Sequence, residues 1–169
     1  MNKKLLLTTS AAIASASIYS FSGMAVAATD TATVNVVQAI SITDATTALN
    51  FGDVVVTGAA ATVIITPGNV FNTGDITPTG SPSRAVFSVD GEDGKSYAVT
   101  VPTVDVTLTS GGNSMIANAF TYDGGGGVGN SGTVINGGGD LYVGATLNVG
   151  ATQASGTYTG LYNVTVAYD

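Results

Sequence analysis

The chain of 169 residues contains no cysteine, no histidine and no tryptophan, and Glu92 is its only glutamate. Without cysteine, the fold depends on packing and hydrogen bonds instead of disulfides. Without histidine or cysteine, a serine or threonine nucleophile lacks an obvious general base. Glu92 stands in a predicted turn, which does not offer the apolar pocket that a glycosidase acid requires. We therefore predict that the protein is not an enzyme and needs no cofactor.

Positively charged side chains are also scarce. The chain has 4 lysines and arginines against 11 aspartates and glutamates, and Lys3 and Lys4 lie at the N-terminus. Beyond residue 27, only Arg84 and Lys95 stand against the 11 acids, which gives a net charge of −9. Nucleic acids and anionic lipids are bound by clusters of cationic side chains. We therefore expect no nucleic-acid partner, and the acidity favours solubility and repulsion between copies.

The first 28 residues have the order of a secretory signal peptide. Residues 1–4 are basic, residues 5–24 are mostly apolar and small, and residues 25–28 read Ala-Val-Ala-Ala. We predict a signal peptide over residues 1–27, with cleavage after Ala27 or, alternatively, Ala28. The protein is then secreted through the periplasm to the extracellular space or the cell surface. No later apolar stretch approaches the roughly 20 residues of a membrane helix, so no membrane span is expected.

Apolar and polar residues alternate over most of the remaining chain, and Gly, Asn, Asp and Pro separate the segments. The clearest examples are a hairpin with strands at 85–89 and 97–101, and the segments 141–149 and 158–168. About nine strand candidates, each with one apolar face, favour two sheets with a core between them. We predict an all-β fold, an immunoglobulin-like antiparallel β-sandwich over residues 44–169.

Residues 28–43 form a predicted N-terminal strand in front of this domain. Val34, Val36, Ile40 and Ile42 share one face, and Gln38 interrupts the apolar series. One interpretation is an ordinary first strand of a self-complete sandwich. The other is a donor strand that one subunit supplies to the next, as its terminal position allows. The sequence leaves both interpretations open.

Three acidic residues, Asp90, Glu92 and Asp93, cluster in the predicted hairpin turn and are weak candidates for calcium ligands. They lack the twelve-residue ligand loop and its closing glutamate. A solvated turn, with Gly91 and Gly94 supplying positive φ, explains the same residues. The turn is the favoured interpretation, and we predict no metal site.

Glycine runs at 124–127 and 137–139 predict surface loops, because glycine brings high chain entropy and no side chain to pack. Tyr122 and Tyr142 are amphipathic aromatics that could stack on a sugar, although packing on a sheet face is commoner. These features support an alternative function. In that alternative, a self-contained secreted domain binds a surface partner or a glycan through its glycine-rich loops.

Several stretches of the chain carry a resemblance to known families. They are ALNFG at 48–52, FSVDG at 87–91, YAVTVP at 97–102, LNVGA at 147–151 and GTYTGLYNVTVAY at 156–168. Together they resemble a family of small secreted bacterial proteins catalogued as a domain of unknown function. The last stretch also resembles archaic chaperone–usher pilins and the spore-coat-U-type domain, although the disulfide usual in those pilins is absent.

The pilin resemblance implies an incomplete sandwich whose groove receives an alternating apolar extension from the next subunit. It also implies a periplasmic chaperone or an outer-membrane assembly machinery as partners. On this basis we predict a pilin-like, adhesive or biofilm-type subunit that self-associates into an extracellular filament or surface layer by β-strand addition. The residues expected to carry assembly are Val34, Val36, Ile40 and Ile42.

Overall fold

The computed structural model describes residues 26–71, 74–125, 132–134 and 137–169. All but the last two residues of the predicted signal peptide lie outside these ranges. The chain divides into two compact units, Met1–Asn35 and Val36–Asp169. In the first unit, residues 26–35 are exposed and form no strand.

The described residues contain nine strands and no helix, so none of them forms an apolar helix long enough to cross a membrane. The strands are β1 Ser41–Ile42, β2 Ala61–Ile65, β3 Ala85–Asp90, β4 Ser96–Thr100, β5 Val106–Ser110, β6 Asn113–Asp123, β7 Gly132–Thr133, β8 Gly138–Val149 and β9 Thr165–Tyr168. The hairpin predicted from residues 85–89 and 97–101 is wrong in its pairing. Both strands form, as β3 and β4, but they belong to different sheets and do not pair with each other.

The strands form two antiparallel sheets, which confirms the predicted all-β sandwich class. The larger sheet has the order β1-β3-β8-β6-β5, and the smaller one has the order β7-β4-β9. The long strand β8 pairs with β3 along its first half and with β2 along its second half, while β6 occupies its other edge. Strand β8 is therefore the centre of the larger sheet.

The core lies between the two sheets. Every second side chain of β8 faces inward, and these five are at most 4% exposed: Leu141, Val143, Ala145, Leu147 and Val149. This is the face that the alternation in the sequence predicts. Tyr97 and Val99 of β4 belong to the same buried cluster and supply the opposite layer.

Two extended segments run along the open side of the sandwich. The first, residues 41–53, lies beside residues 79–90 through β1 and three isolated bridges. The second, residues 159–168, lies beside residues 97–109, because β9 pairs with β4 and Thr159 bridges to Thr109 of β5. These two segments bound the candidate site.

Two predicted strands are shorter than the alternation suggests. Within the described residues, segments 34–40 and 160–164 carry no strand partner. Alternation shows that a segment suits an extended conformation with one apolar face, but a ladder also requires a neighbouring backbone. These segments therefore keep an extended sequence pattern without a paired strand.

Candidate strand-binding groove

A groove of about 750 Å³ is lined by residues of both extended segments and of the larger sheet. One wall, here called the N-terminal rim, is residues 49–56, and the other, the C-terminal rim, is residues 153–162. The floor is the inner face of the larger sheet. Its residues are Val106, Leu108, Met115, Ala117, Phe120, Leu147 and Val149.

The floor is apolar and the site is almost without charge. Ala117, Phe120 and Leu147 are buried, whereas Leu108 and Met115 are half-buried and packed against the core. Asp53 is the one charged residue among the described residues that line the groove. Such a surface favours an apolar, uncharged occupant.

The N-terminal rim is fixed by pairing with the chain before β3. The main chains of Asn50 and Ser83 exchange two hydrogen bonds of 2.9 and 2.8 Å. The Asn50 side chain donates to the Ser81 carbonyl at 3.1 Å and accepts from the Gly52 amide at 2.9 Å. Gly52 has a φ of 71°, a conformation that glycine adopts without strain. Asn50 therefore holds the turn that presents Phe51 to the core.

The C-terminal rim rests on β5. Thr159 and Thr109 exchange two main-chain hydrogen bonds of 3.1 and 2.8 Å. Gly160 approaches so closely that a Cβ there would lie 2.6 Å from the carbonyl oxygen of Thr107. The Tyr158 hydroxyl donates to the Ala154 carbonyl at 2.8 Å and accepts from the Gln153 side chain at 2.7 Å. The sequence at 153–160 thus builds a rim that lies directly on the sheet.

Substituting Gly160→Ala should widen or tilt the C-terminal rim, because the added methyl group would press on the backbone of β5. We expect the binding of any groove ligand to weaken at least tenfold. Gly68→Ala is the matched control, since its nearest neighbour would be the Thr66 hydroxyl at 3.7 Å. The ligand for this test is a peptide of residues 28–37, taken from the predicted donor strand. Titration calorimetry measures its affinity for both variants, and equal affinities would contradict this account of the rim.

The C-terminal segment, residues 159–168, has main-chain groups beside the groove that make no hydrogen bond to another main-chain group among the described residues. Asp169 donates to Ser96 at 3.3 Å, so odd-numbered residues of β9 bond to β4 and even-numbered ones point away from it. Thr159 continues the same parity on β5. Within the described residues, none of residues 160–164 makes a backbone hydrogen bond, and Gly160, Tyr162 and Val164 have the parity that points away from β4 and β5. This edge can therefore accept another strand.

Tyr162 lines the groove and packs against two aromatic rings. Its ring centroid is 5.1 Å from that of Phe120 and 6.4 Å from that of Phe87. Burial raises the pKa of Tyr162 to about 12. Because the anion is poorly solvated there, Tyr162 is neutral at any physiological pH and acts as an apolar wall.

The raised pKa of Tyr162 predicts an alkaline dependence of stability. The folded state disfavours the phenolate, so the full stability is present below pH 10 and is lost as the pH rises through about 12. Tyr162→Phe has no hydroxyl to ionise and should lose stability more slowly over that range. Urea unfolding at several pH values measures this, and parallel curves for the two proteins would contradict it.

The residues predicted to carry assembly fall into two environments. Val34 is 86% exposed and Val36 is 84% exposed, and neither is part of a strand. Ile40 and Ile42 are half-buried and packed against the core of the sandwich. Ile42 belongs to β1, which pairs with β3. The structure therefore brings Ile40 and Ile42 into the domain and leaves the two valines exposed.

The acidic turn holds a hydrogen-bond clamp made of Gln38, Glu92 and Tyr168. The Tyr168 hydroxyl donates to the Gln38 carbonyl at 2.8 Å and accepts from the Glu92 amide at 2.6 Å. The Glu92 carboxylate accepts a hydrogen bond of 3.1 Å from the main-chain N–H of Gln38. Gly91 permits this contact, because a Cβ there would lie 2.5 Å from the Tyr168 hydroxyl oxygen.

The other residues predicted as ligand or sugar contacts do not line the groove. Asp90 and Asp93 are exposed, and no cluster of three or more metal-ligating side chains occurs among the described residues. Tyr122 packs against the core, and the Arg84 guanidinium lies 3.5 Å above the centre of the Tyr142 ring. Residues 126–131 and 135–136 of the glycine-rich loops lie outside the described residues.

Sequence reasoning did not find the groove, although one observation pointed to it. Three of the stretches that carry the family resemblance, at 48–52, 147–151 and 156–168, each supply residues to the groove. They are far apart in the chain, and only the pairing of the edge segments brings them together.

The fold and the groove define an all-β sandwich domain with an apolar groove beside a strand edge. The family model described as domain of unknown function DUF4402 matches residues 40–168, and the chain belongs to this family. No curated protein and no solved structure matches the chain. The resemblance to a domain of unknown function is confirmed, and the resemblance to pilins and spore-coat-U-type domains stays a prediction.

Proposed function

We propose that the protein is an exported, non-enzymatic structural subunit that assembles into an extracellular filament or surface layer by β-strand addition. The observation that carries this proposal is the apolar groove beside an edge whose main-chain groups lack partners within the described residues. An added strand would form hydrogen bonds along that edge and bury alternate side chains in the floor.

The chain itself offers a suitable strand, residues 28–37, here called the N-terminal segment. Ala32, Val34 and Val36 share one face, and the segment is exposed over its whole length. Burying the two valines would contribute about 1.5–3 kcal/mol each. Asp30 is the single charged residue of the segment, and Asp53 is the single charged residue among the described residues that line the groove. The segment is therefore a suitable occupant for this nearly uncharged groove.

The length of the N-terminal segment also matches the length of the edge beside the groove. The edge from Tyr158 to Val164, of which residues 158–160 and 162 line the groove, spans seven residues, which corresponds to about 23 Å of extended chain. Residues 31–37 have the same length. An open edge of this kind pairs readily with wrong partners, so a periplasmic chaperone or an outer-membrane assembly machinery would protect it during export.

A second function fits one observation. The groove volume of about 750 Å³ lies within the range of small-molecule sites, so a surface partner or glycan is the competing occupant. Competition decides between the two, because a sugar ligand would displace a bound peptide of residues 28–37 without leading to polymers.

The test is the assembly state of the chain after removal of residues 1–27. Sedimentation and negative-stain imaging at rising concentration should show linear polymers, and an excess of the peptide of residues 28–37 should reduce them to short species. A protein that stays monomeric at high concentration and does not bind the peptide would refute the proposal.

A further inference from the structure

The clamp lies in the chain directly after the N-terminal segment, at Gln38. Both main-chain groups of Gln38 are held by side chains, Tyr168 on one side and Glu92 on the other. We propose that this clamp keeps the N-terminal segment out of the groove of its own copy and thereby reserves it for a second copy. The inference rests on the proposed function and adds a selection between self-closure and assembly.

While Gln38 is held in the clamp, Val34 and Val36 cannot reach the N-terminal rim of their own copy. Residues 41–53 run beside β3, with Ser41 opposite Asp90 and Asn50 opposite Ser83. Asp90 and Ser83 are seven positions apart, which corresponds to about 23 Å of extended chain, and Gln38 precedes Ser41 by a further three positions. Val34 lies four residues from Gln38 and reaches no further than about 14 Å.

The C-terminal rim is also out of reach. Tyr162 is the groove residue nearest in sequence to Tyr168. Tyr168 lies six positions further along the chain, which corresponds to about 20 Å of extended chain. Val36, two residues from Gln38, reaches about 7 Å, and Val34, four residues from it, reaches about 14 Å, so both fall short of this distance. While the clamp is closed, neither valine can fill the groove of its own copy.

The clamp divides one alternating stretch between two subunits. Ile40 and Ile42, on the C-terminal side of Gln38, pack into the core of their own sandwich. Val34 and Val36, on the N-terminal side, remain exposed. The family match begins at residue 40, on the sandwich side of the clamp. Because the segment and the groove are different surfaces, a contact between copies through them is head-to-tail, so each copy can bind one neighbour at either end.

Engineered cysteines test which copy supplies the segment, since the chain has no cysteine of its own. Asn35→Cys places a thiol on the segment, and Thr157→Cys places one on the exposed C-terminal rim. A short bis-maleimide applied to the double variant should give a ladder of covalently joined copies. A product that is only an internally linked monomer would overturn the inference, as would polymers that give no crosslink at all.

A second experiment opens the clamp. Tyr168→Phe combined with Glu92→Ala removes all three clamp hydrogen bonds, so the first held residue becomes Ser41. Val34 is then seven residues from its anchor and reaches about 23 Å, the distance to its own N-terminal rim. We expect the polymer mass to fall at least tenfold, with monomers whose grooves no longer bind the peptide of residues 28–37.

Glu92→Gln is the matched control, because its amide oxygen can still accept from Gln38, and it should polymerise as the unmodified chain does. Wild-type assembly by the open-clamp variant would overturn the role of the clamp. If that variant fails to fold, the cysteine experiment still decides, because it leaves the clamp intact. If the unmodified chain neither polymerises nor binds the peptide, the proposed function fails instead, whatever the clamp does.

Discussion

Replacing Val34 and Val36 together by aspartate should abolish assembly and leave the sandwich unchanged. Both side chains are more than four-fifths exposed, so the melting temperature should stay within about 1 °C of the unmodified value. Assembly should lose at least about 3–6 kcal/mol of apolar burial, and buried carboxylates would add to this loss. This corresponds to a dissociation constant at least about 100-fold larger, which sedimentation velocity measures.

The control for this variant must carry the same added charge. Thr31→Asp with Thr33→Asp changes the opposite face of the same segment, which an added strand would direct away from the floor. It should assemble nearly as well as the unmodified chain. Equal loss of assembly in both variants would mean that charge alone weakens association, and the directional role of the two valines would be wrong.

Gly144→Ala is expected to be the most damaging single substitution in the sandwich. Gly144 is buried in the middle of β8, where a Cβ would collide with the carbonyl oxygen of Ile65 and lie 2.8 Å from the carbonyl carbon of Thr66. Both neighbours are backbone, so β2 would have to move away from β8. Overpacking costs about 1–3 kcal/mol, and we expect the upper end, a fall in melting temperature of roughly 10 °C.

Gly139→Ala serves as the comparison within the same strand. Gly139 is exposed, and a Cβ there would have no described atom within 4 Å. Its melting temperature should change by no more than about 2 °C, since surface substitutions usually cost under about 0.5 kcal/mol. Thermal unfolding followed by circular dichroism measures both. Equal melting temperatures would show that β2 yields easily and that Gly144 is not a packing requirement.

Much of the sandwich follows from period-two patterning. The inward face of β8 is found correctly from its sequence, because one apolar side chain in every two must enter a core. The strand predicted over residues 28–43 forms only at Ser41–Ile42, and within the described residues, residues 34–40 are not part of a strand. Local alternation is the same whether a partner backbone is present or not, so the sequence alone cannot separate a paired strand from an unpaired one.

The groove depends on contacts between residues far apart in the chain. Leu49 and Tyr158 line opposite walls, and their positions depend on the bridges of Asn50 to Ser83 and of Thr159 to Thr109. The clamp joins Gln38 to Tyr168 across 130 residues. A polar residue that interrupts an apolar series was visible in the sequence at Gln38. The partners of Gln38, Glu92 and Tyr168, could not be predicted from the sequence. They bind the main chain of Gln38, and main-chain groups are nearly the same for every residue.

The acidic character of the chain has a consequence for assembly. Copies with a net charge of −9 beyond residue 27 repel one another, which disfavours non-specific association. The groove and the N-terminal segment carry one carboxylate each, Asp53 and Asp30. Strand addition would therefore proceed through the least charged surfaces. Because repulsion between like-charged copies is screened by salt, we expect added salt to strengthen assembly.

Hydrogen exchange at single amides measures strand addition most directly. In the chain carrying Val34→Asp and Val36→Asp, adding the peptide of residues 28–37 should slow exchange at Tyr162 and Val164 at least 100-fold. Thr165 and Ala167 already bond to β4 and should change little. Protection confined to the even-numbered amides is the predicted result. Unchanged exchange at Tyr162 and Val164 under saturating peptide would contradict the view that this edge accepts a strand.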